Sequence, residues 1–570
     1  MADTPTIQPV REQPALAVRK AVPQGHDNIA VPDGGRGRIV MLVDNQVNGD
    51  SRVQKAARSA SDFGWEVTLL GRSSETVPPQ SWHLGKAEVR LLEFKDVLHK
   101  QPEQLRRLFW RRPLAYRPGH TSSYRVASTK AREAELRFRG TLLAARRDAG
   151  DNGLGVQFAR VRLKLSKLAA DARRKWVRIR ARQTKAVTPM RKNASAPTDR
   201  FAVKLWSRLM GDRAWRRIDP SLWDFEFAYA KAVDRLKPDI IHANDFRMLG
   251  VGARAALRAR AAGRDVKLVW DAHEFLPGIR SWSTNERWKP AMIAAEREFA
   301  KYADRVVTVS DGLADLLKET HGLPETPAVV LNAPEKEIPA ERETIPMPDL
   351  REQCGLDAET PLLVYSGAAA PQRGLATMIE ALPELPGTHI ALIVSRPDGS
   401  YMRKLRERAA ELGAENRVHV LPYVPHWQVV PYLSSATIGV IPIHHFPNHE
   451  IALITKFFEY SHARLPLIVS DVKTMAAATK ATGQGEVFEA ESTEGYVRAV
   501  RAILADPQRY RSVYDRRGLL DEWYWEAQAE VLDGIYLDLY GAAAVSRKAA
   551  TAAGPDIDED PAPDPVEAPA

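Results

Sequence analysis

The sequence predicts an α/β protein of two doubly wound halves joined by a linker, with a basic helical segment inserted into the first half. Three observations carry this prediction. Short β-branched runs alternate with amphipathic helical windows, the order expected of parallel sheets. The alternation stops at the Pro-rich stretch "EKEIPAERETIPMPD" (335–349) and restarts after it. The first half is itself interrupted, over roughly 75–222, by a stretch in which arginine and lysine dominate.

Residues 1–36 mix Pro, Gln and Gly, and 545–570 are acidic and Pro-rich; neither has an apolar period, so both read as disordered tails. In the first half "RIVMLV" (38–43) precedes a helical window at 50–63, and "WEVTLL" follows. After the basic segment come "DIIHA", a helical 247–261, "VKLVW", a helical 289–302 and "RVVTVS". The second half gives "PLLVYSG", a helix at 374–383, "HIALIVS", a helix at 400–413, "RVHVLPY", "ATIGVIPI", a helix at about 452–463 and "LPLIVSD". The expected domains are therefore 37–345 and 350–518, with a closing segment at 519–544. Strands of such sheets end at crevices, and a domain boundary is a common place for a ligand, so the cleft between the halves is the expected site.

At 570 residues and 44% hydrophobic composition the chain can bury a sizeable core. Its single cysteine, Cys354, cannot close an intramolecular disulfide or build a Cys-based zinc site, which makes a reducing cytoplasm the expected compartment. The N-terminal stretch has no apolar h-region, and no later stretch approaches the ~18 apolar residues of a spanning helix. The net charge of +10 is uneven: Gln101 to Arg217 holds 31 Lys/Arg against 8 Asp/Glu, a net of +23, which leaves −13 for the rest.

Four stretches carry candidate chemistry. "VDNQVNGDSRV" joins the first strand to a helix; Gly49 permits a tight turn and Asp50 is a good N-cap, so its N–H groups could face a ligand. It lacks G-x-G-x-x-G and a Walker A lysine, and a plain strand-to-helix turn is the competing reading. "VWDAHEF" ends an apolar strand with Asp271, His273 and Glu274, groups that are costly to bury unless used or paired; a satisfied structural histidine is the alternative. "YSGAAAPQRGL" places Arg373 between Gly367 and Gly374 in a turn that opens a helix, an arrangement suited to a diphosphate, or else an exposed arginine. In "KFFEY", Lys456 and Glu459 share one side of a helix that packs on the sheet through Phe457 and Phe458. An i,i+3 surface salt bridge competes with a cation facing phosphate and a carboxylate facing ribose hydroxyls.

Together "DSRV", "DAHE", "RVVTVSDGL" with "VVLNAP", "YSG…QRGL", "HVLPYVP" and "KFFEY…LPLIVSD" resemble, in order and spacing, the retaining glycosyltransferases of family four, which have the GT-B fold. The resemblance spans about 37–72 and 223–540, and "DEWYWEAQAEVLDGIYLDLY" is similar to the family's last helix, which crosses back to the N-terminal domain. It implies a nucleotide-diphosphate sugar as co-substrate, with no other cofactor and no metal, bound mainly by the second half. Glu459 matches the second glutamate of the family's Glu-x7-Glu motif, facing ribose; Arg373 and Lys456 match basic positions near the diphosphate; Tyr423 and Val424 fall where backbone meets the base. The first glutamate would stand at position 451, which is Ile, with Glu450 one residue early and Asn448 nearby as candidate contacts to the donor sugar. Ala368 replaces a basic residue often found after the glycine. His273 matches a histidine facing the reaction centre and is assigned to positioning and polar stabilisation, with general-base work as the weaker reading; Asp50, Arg52, Asp271 and Glu274 are placed on the acceptor side. The leaving diphosphate assists the acceptor hydroxyl in such enzymes, so no protein nucleophile is implied.

The insert matches nothing in that family pattern. Val161, Leu165, Leu168, Ala172, Trp176 and Ile179 recur at steps of three and four among basic residues, and Trp110, Trp206 and Trp215 add aromatic anchors. This pattern suits an anionic membrane face and hence a glycan or lipid-linked acceptor, with the protein cytoplasmic or peripheral at the inner membrane face. An insertion that caps the domain or meets a subunit is the alternative. Two other classes stay open: a nucleic-acid-binding protein using the +23 segment, disfavoured because no RRM, KH or zinc-finger signature accompanies it, and a glycosyltransferase-like binding module without turnover.

Overall fold

The structure is a computed structural model that describes residues 36–98, 114, 116, 121–151, 153–184, 197–279, 285–336 and 344–552. The expected tails, up to residue 35 and from 553, and Trp110 lie outside the described residues.

Two sheets carry the molecule. The first contains β1 (Arg38–Leu42), β2 (Glu66–Arg72), β3 (Ser81–Leu84), β4 (Ala87–Leu92), β5 (Ile240–Asn244), β6 (Lys267–Ala272), β7 (Arg305–Thr308) and β8 (Ala328–Val329), in the spatial order β3-β4-β2-β1-β5-β6-β7-β8. All neighbours are parallel except the β3–β4 hairpin. The second contains β9 (Leu362–Ser366), β10 (His389–Ile393), β11 (Val418–Leu421), β12 (Ile438–Ile441), β13 (Leu467–Ser470) and β14 (Gly485–Phe488), all parallel, in the order β11-β10-β9-β12-β13-β14. In each sheet the order reverses once, between β1 and β5 and between β9 and β12. Connections leave in opposite directions there, and a crevice opens at the carboxyl ends.

Strand composition explains the layering. In β1, Val40 and Leu42 face one apolar cluster while Ile39 and Met41 face another, so both faces are buried and the strand reads as a continuous apolar run. The helices that cover the first sheet and its insert are α1 (Ser51–Asp62), α2 (Thr121–Asp148), α3 (Leu154–Thr184), α4 (Pro197–Met210), α5 (Leu222–Leu236), α6 (Asp245–Ala261), α7 (Trp288–Ala300) and α8 (Asp311–His321). In the second half the elements that matter here are α9 (Pro447–Ile451), α10 (Thr455–His462), α11 (Lys473–Thr482) and the long α12 (Trp525–Ala552). Trp525, Leu532 and Tyr536 of α12 are buried in the N-terminal cluster with Val53 and Ala57 of α1, and Asp533 accepts from Trp65 Nε1 at 2.7 Å. The last helix thus returns to the first domain and ties the halves together.

The structure alters three expectations. The segment from 75 is not all insert: β3 and β4 belong to the sheet, with Ala87, Val89 and Leu91 buried and alternating with half-buried Glu88, Arg90 and Leu92. In β4, which pairs with β2 on one side and with the edge strand β3 on the other, one face packs on the core and the other carries Glu88 and Arg90. The helix expected at about 452–463 starts later, at Thr455, because Ala452 is extended (φ −103°, ψ 137°) and the Ile451 carbonyl accepts from Ser310 Oγ of the other domain at 2.7 Å. The last helix runs to Ala552, past the expected boundary at 544.

The insert is an antiparallel α2–α3 hairpin followed by α4. It sits on the first domain through Ala127 and Ala131 of α2 together with Trp215 and Trp223, which lie in the same cluster as α6 and α7. The α3 residues expected to form an apolar face do form one, and it points outward: Leu168 is 67% exposed, with Val161, Leu165, Trp176 and Ile179 also exposed, and Phe158, 71% exposed, extends it. No helix among the described residues is long and apolar enough to cross a membrane.

Candidate active site

The N-terminal side of the cleft is built where β1, β5 and β6 end. After β1, Asp44 accepts from Arg247 Nη1 at 2.6 Å. After β5, Asp245 begins α6 with φ +63°, a left-handed backbone that costs a non-glycine residue energy and that recurs at functional positions. Loss of water pushes the Asp245 carboxyl up to about 7; His273 opposes this, while Asp44 and Glu274 add to it. After β6 comes His273, half-buried, with Glu274 exposed beside it.

Behind His273 stands one carboxylate with several partners. Asp271 accepts from Arg52 Nε at 2.8 Å and Nη2 at 2.9 Å, a bidentate pair whose side chains are 5% and 3% exposed. His273 Nε2 is 3.4 Å from the same carboxylate and His242 Nε2 is 3.5 Å away. Tyr536 of α12 meets His242 Nδ1 at 2.7 Å, so the returning helix backs this group. Burial works against the charged form of His273, but the Asp271 carboxylate beside it overrides this by its charge, and the imidazole is pushed up to about 9. Burial would raise Asp271; Arg52 and then His273 hold it well below the usual carboxylate range. At neutral pH the arrangement presents an imidazolium to the cleft.

The C-terminal side is built at the β9/β12 reversal. Gly367, φ +144°, follows β9, and a Cβ there would overlap Lys456 Nζ. Gly374, φ +71°, closes the turn that holds Arg373, and a Cβ there would overlap the Pro442 carbonyl. Both positions require glycine for backbone and for space. Lys456 starts α10, its Nζ 4.9 Å from the Tyr365 ring centre. Burial and then Arg373 push its amine down while Glu459 opposes; burial raises Glu459 while Lys456 and Lys55 oppose. Tyr423 feels Glu459 and Arg373, and burial pushes its phenol up. These mutual influences place Arg373, Lys456, Glu459 and Tyr423 in one group. The helix that presents two of them is fixed by Phe457 and Phe458, both 0% exposed and edge-on to Trp523, and by Tyr460, whose hydroxyl accepts from Ser366 N at 2.9 Å.

The segment 447–455 bridges the halves. Asn448 Oδ1 is buried without a hydrogen-bond partner and packs where a Cβ on Gly278 would be. Ile451 packs against the N-terminal cluster and beside Gly312, and Asn332 Nδ2 donates to Thr455 Oγ1 at 3.0 Å. Lys55 of α1 is buried, donates to Asn332 Oδ1 at 3.1 Å and to the Ala333 carbonyl, and lies 4.8 Å from the Trp525 ring centre; burial pushes it down to about 8.

Residues 183–333 match the family described as Glycosyltransferase Family 4, and residues 346–518 match Glycosyl transferases group 1, together more than half of the chain. The chain belongs to glycosyltransferase family 4. The alpha-maltose-1-phosphate synthase of Mycolicibacterium smegmatis is 26% identical over 283 residues, 47% of this chain and 72% of that one. The D-inositol 3-phosphate glycosyltransferase of Nocardia farcinica is 24% identical over 272 residues, 42% of this chain and 59% of that one, less than two thirds of its length. In fold, this family 4 glycosyltransferase is similar to the sucrose-phosphate synthase from Thermosynechococcus elongatus, with a TM-score of 0.56 at 15% identity over 89% of this chain and 100% of that one. Its fold is GT-B.

Of the residues singled out in the sequence of this glycosyltransferase, His273 and Glu274 follow β6 and Gly367 follows β9 at the carboxyl ends of their sheets, Arg373, Tyr423, Lys456 and Glu459 lie close enough to act on one another's charge, and half-buried Val424 packs on the C-terminal core. Others turn out to be structural. Arg52 and Asp271 spend themselves on each other, and Arg52 also donates to the Val330 carbonyl at 2.6 Å; they orient His273 from behind and do not face an acceptor. Asp50 caps α1 by accepting from Val53 N at 3.3 Å, and Gly49, φ +86°, shapes the exposed turn before it. Both Glu450 oxygens are occupied, by His445 Nδ1 at 2.6 Å and by Lys473 N of α11 at 2.8 Å, so the carboxylate is directed to that helix start and not to a donor sugar. Asp245 and Lys55 were not singled out. A lysine inside the otherwise small, apolar "VQKAARSA" was the available signal for the second; only the backbone conformation marks the first.

Proposed function

We propose that this glycosyltransferase moves a sugar from a nucleotide-diphosphate sugar to an acceptor hydroxyl with retention, and that the acceptor is a glycan or lipid-linked precursor at the cytoplasmic membrane face. The observation that carries the donor half is the convergence of Arg373, Lys456, Glu459 and Tyr423 at the β9/β12 reversal, with Lys55 of the first domain close enough to act on Glu459. As the bond from the sugar's anomeric carbon to the diphosphate breaks, negative charge grows on the leaving phosphate oxygen. Arg373 and Lys456 meet that charge from fixed positions, and one such preorganised donor contributes on the order of 3 kcal/mol to the transition state. The acceptor oxygen forms the new bond on the same face and its proton passes to the leaving diphosphate, so neither a protein nucleophile nor a resident metal is needed in this scheme. Glu459 accepts from the ribose hydroxyls, and Asn448, three residues before Ile451 and with an unpaired buried oxygen, is the candidate contact to the donor sugar. His273, held as an imidazolium, is a hydrogen-bond donor and positive charge for the sugar or diphosphate; the charge state disfavours general-base work.

The membrane half rests on α3. Its exposed stripe of Phe158, Val161, Leu165 and Leu168 has Lys164 and Lys175 on one flank and Arg162 and Arg180 on the other, an interfacial amphipathic pattern. Each basic residue near an anionic surface contributes ~1 kcal/mol.

The donor reading is tested by thermal shift with nucleotide diphosphates, with Lys456→Ala and Glu459→Ala expected to remove the stabilisation; no shift with any common nucleotide overturns it. A donor-hydrolysis screen, then acceptor trials with NMR of the product anomer, tests turnover and retention, and binding without turnover would point to a binding module.

A further inference from the structure

The insert holds a cavity of about 580 Å³ that no residue of the C-terminal domain lines and that the donor cluster does not reach. Its size falls within the range of small-molecule sites. α2 presents Arg125, Arg132 and Arg139 at a spacing of seven, two helical turns apart, so they form one row. α3 adds Arg173, the turn after α4 adds Arg213, Arg216 and Arg217, and Arg287 comes from the start of α7.

Among the described lining residues Glu135 is the one carboxylate, and it is already taken: Arg139 Nε is 3.0 Å from it and Arg216 Nη2 3.3 Å, while Arg216 also pairs with Glu298 and Arg287 with Asp199. Arg125, Arg132 and Arg173 have no ion-pair partner among the described residues. Arg125, Arg132 and Arg173 keep much of their surface open to solvent at the cavity wall, and partial burial together with neighbouring arginines, Arg139 and Arg217 foremost, pushes Arg132 and Arg173 below the ordinary arginine value. Between them the walls are apolar, formed by Ala131, Ala169, Met210 and Trp206.

Like charges held in one concavity repel, and an anion that bridges them relieves the repulsion. Guanidinium forks arriving from different helices match a group with several oxygens and at least two negative charges, which a single carboxylate does not provide. We propose that the arginine-lined cavity between α2, α3 and α4 is a second binding site of this protein, for a phosphate or diphosphate ester whose organic part lies against Trp206. The phosphate could belong to a soluble ester or to a lipid headgroup, since both offer the same chemistry.

The test uses the full-length chain and inorganic pyrophosphate as probe, in an Arg373→Ala/Lys456→Ala background so that the donor cluster does not contribute. Calorimetry is expected to show binding that Arg132→Gln/Arg173→Gln weakens at least about tenfold, as loss of charge-assisted hydrogen bonds implies. Because those two side chains hold no carboxylate, the variant should keep the parent circular dichroism spectrum; Arg125→Gln at the rim, expected to weaken binding less, serves if it does not fold. Pyrophosphate that fails to bind in this background, or binds equally well to every Arg variant, overturns the site. Loss of the pyrophosphate signal only in Arg373→Ala/Lys456→Ala would leave the donor reading standing without it. A second arm uses phosphatidylcholine vesicles with and without 20 mol% phosphatidic acid. Vesicle binding that pyrophosphate competes away and Arg132→Gln/Arg173→Gln reduces assigns the phosphate to a lipid; pyrophosphate binding with unchanged vesicle binding assigns it to a soluble ester.

Discussion

Replacing Asp271 by asparagine keeps the shape of the side chain and removes its charge, which isolates what one carboxylate does for the cleft. In the parent protein it holds Arg52 with two hydrogen bonds at 2.8 and 2.9 Å, and both side chains are nearly inaccessible to water. The variant keeps one amide oxygen and the Val330 carbonyl as acceptors for Arg52 but leaves the buried guanidinium charge uncompensated, and such broken buried pairs cost about 3–5 kcal/mol. A second measure comes from His273. With the anion gone and burial unchanged, its value should fall from about 9 to the ordinary 6.5 or lower, a change equivalent to about 3 kcal/mol of interaction with Asp271. The two figures are not additive, because Arg52 itself acts on His273. Urea denaturation should therefore show a loss of about 3–5 kcal/mol, and NMR titration of the His273 ring should show the fall. The signs of the pH dependence follow. His273 contributes stability that is complete below about 6.5 and is lost as pH rises through about 9, and Asp271 contributes stability that is present above the unfolded carboxyl value near 3.9 and is lost as pH falls through its own depressed value. In Asp271→Asn both dependences should disappear. A ring that still titrates near 9 in the variant would mean that Asp271 is not the cause, and the imidazolium role would fall with it.

Gly374→Ala places a Cβ against the Pro442 carbonyl at φ +71°, so it should destabilise the C-terminal half and abolish the nucleotide-dependent thermal shift, whereas Gly387→Ala, at φ +73° in open space, should cost about 1 kcal/mol and leave the shift intact. Lys456 is pushed down by burial and Arg373, while a bound diphosphate favours its charged form, so nucleotide binding should take up a proton and weaken as pH rises; calorimetry in buffers of different ionisation heat reads this directly, and a buffer-independent heat would count against Lys456 facing the diphosphate. Exchanging Phe158, Leu165 and Leu168 together for serine should weaken binding to anionic vesicles at least about tenfold with little change in melting temperature, because these side chains are mostly exposed; unchanged binding would refute the role of α3 at a membrane.

The sequence by itself determined the order of strands and helices, the break between the halves and most of the charged residues that gather in the cleft. It could do so because buried parallel strands must be continuously apolar and because a lysine or glutamate on a sheet-packed helix stands out against Phe457 and Phe458. What it could not determine was partnership. Whether Asp271 faces an acceptor or a buried arginine depends on Arg52, 219 positions away, and whether Glu450 faces a sugar depends on His445 and the start of α11. The β3–β4 hairpin was hidden because β4 shows only alternate residues to the core and the edge strand β3 buries none. The same limit applies to the insert, where arginine spacing could be read along one helix but the cavity exists only because two helices and a turn bring their rows together. Local periodicity is a property of consecutive residues, and sequence records it; charge compensation is set by distance in space, and only the folded chain decides that.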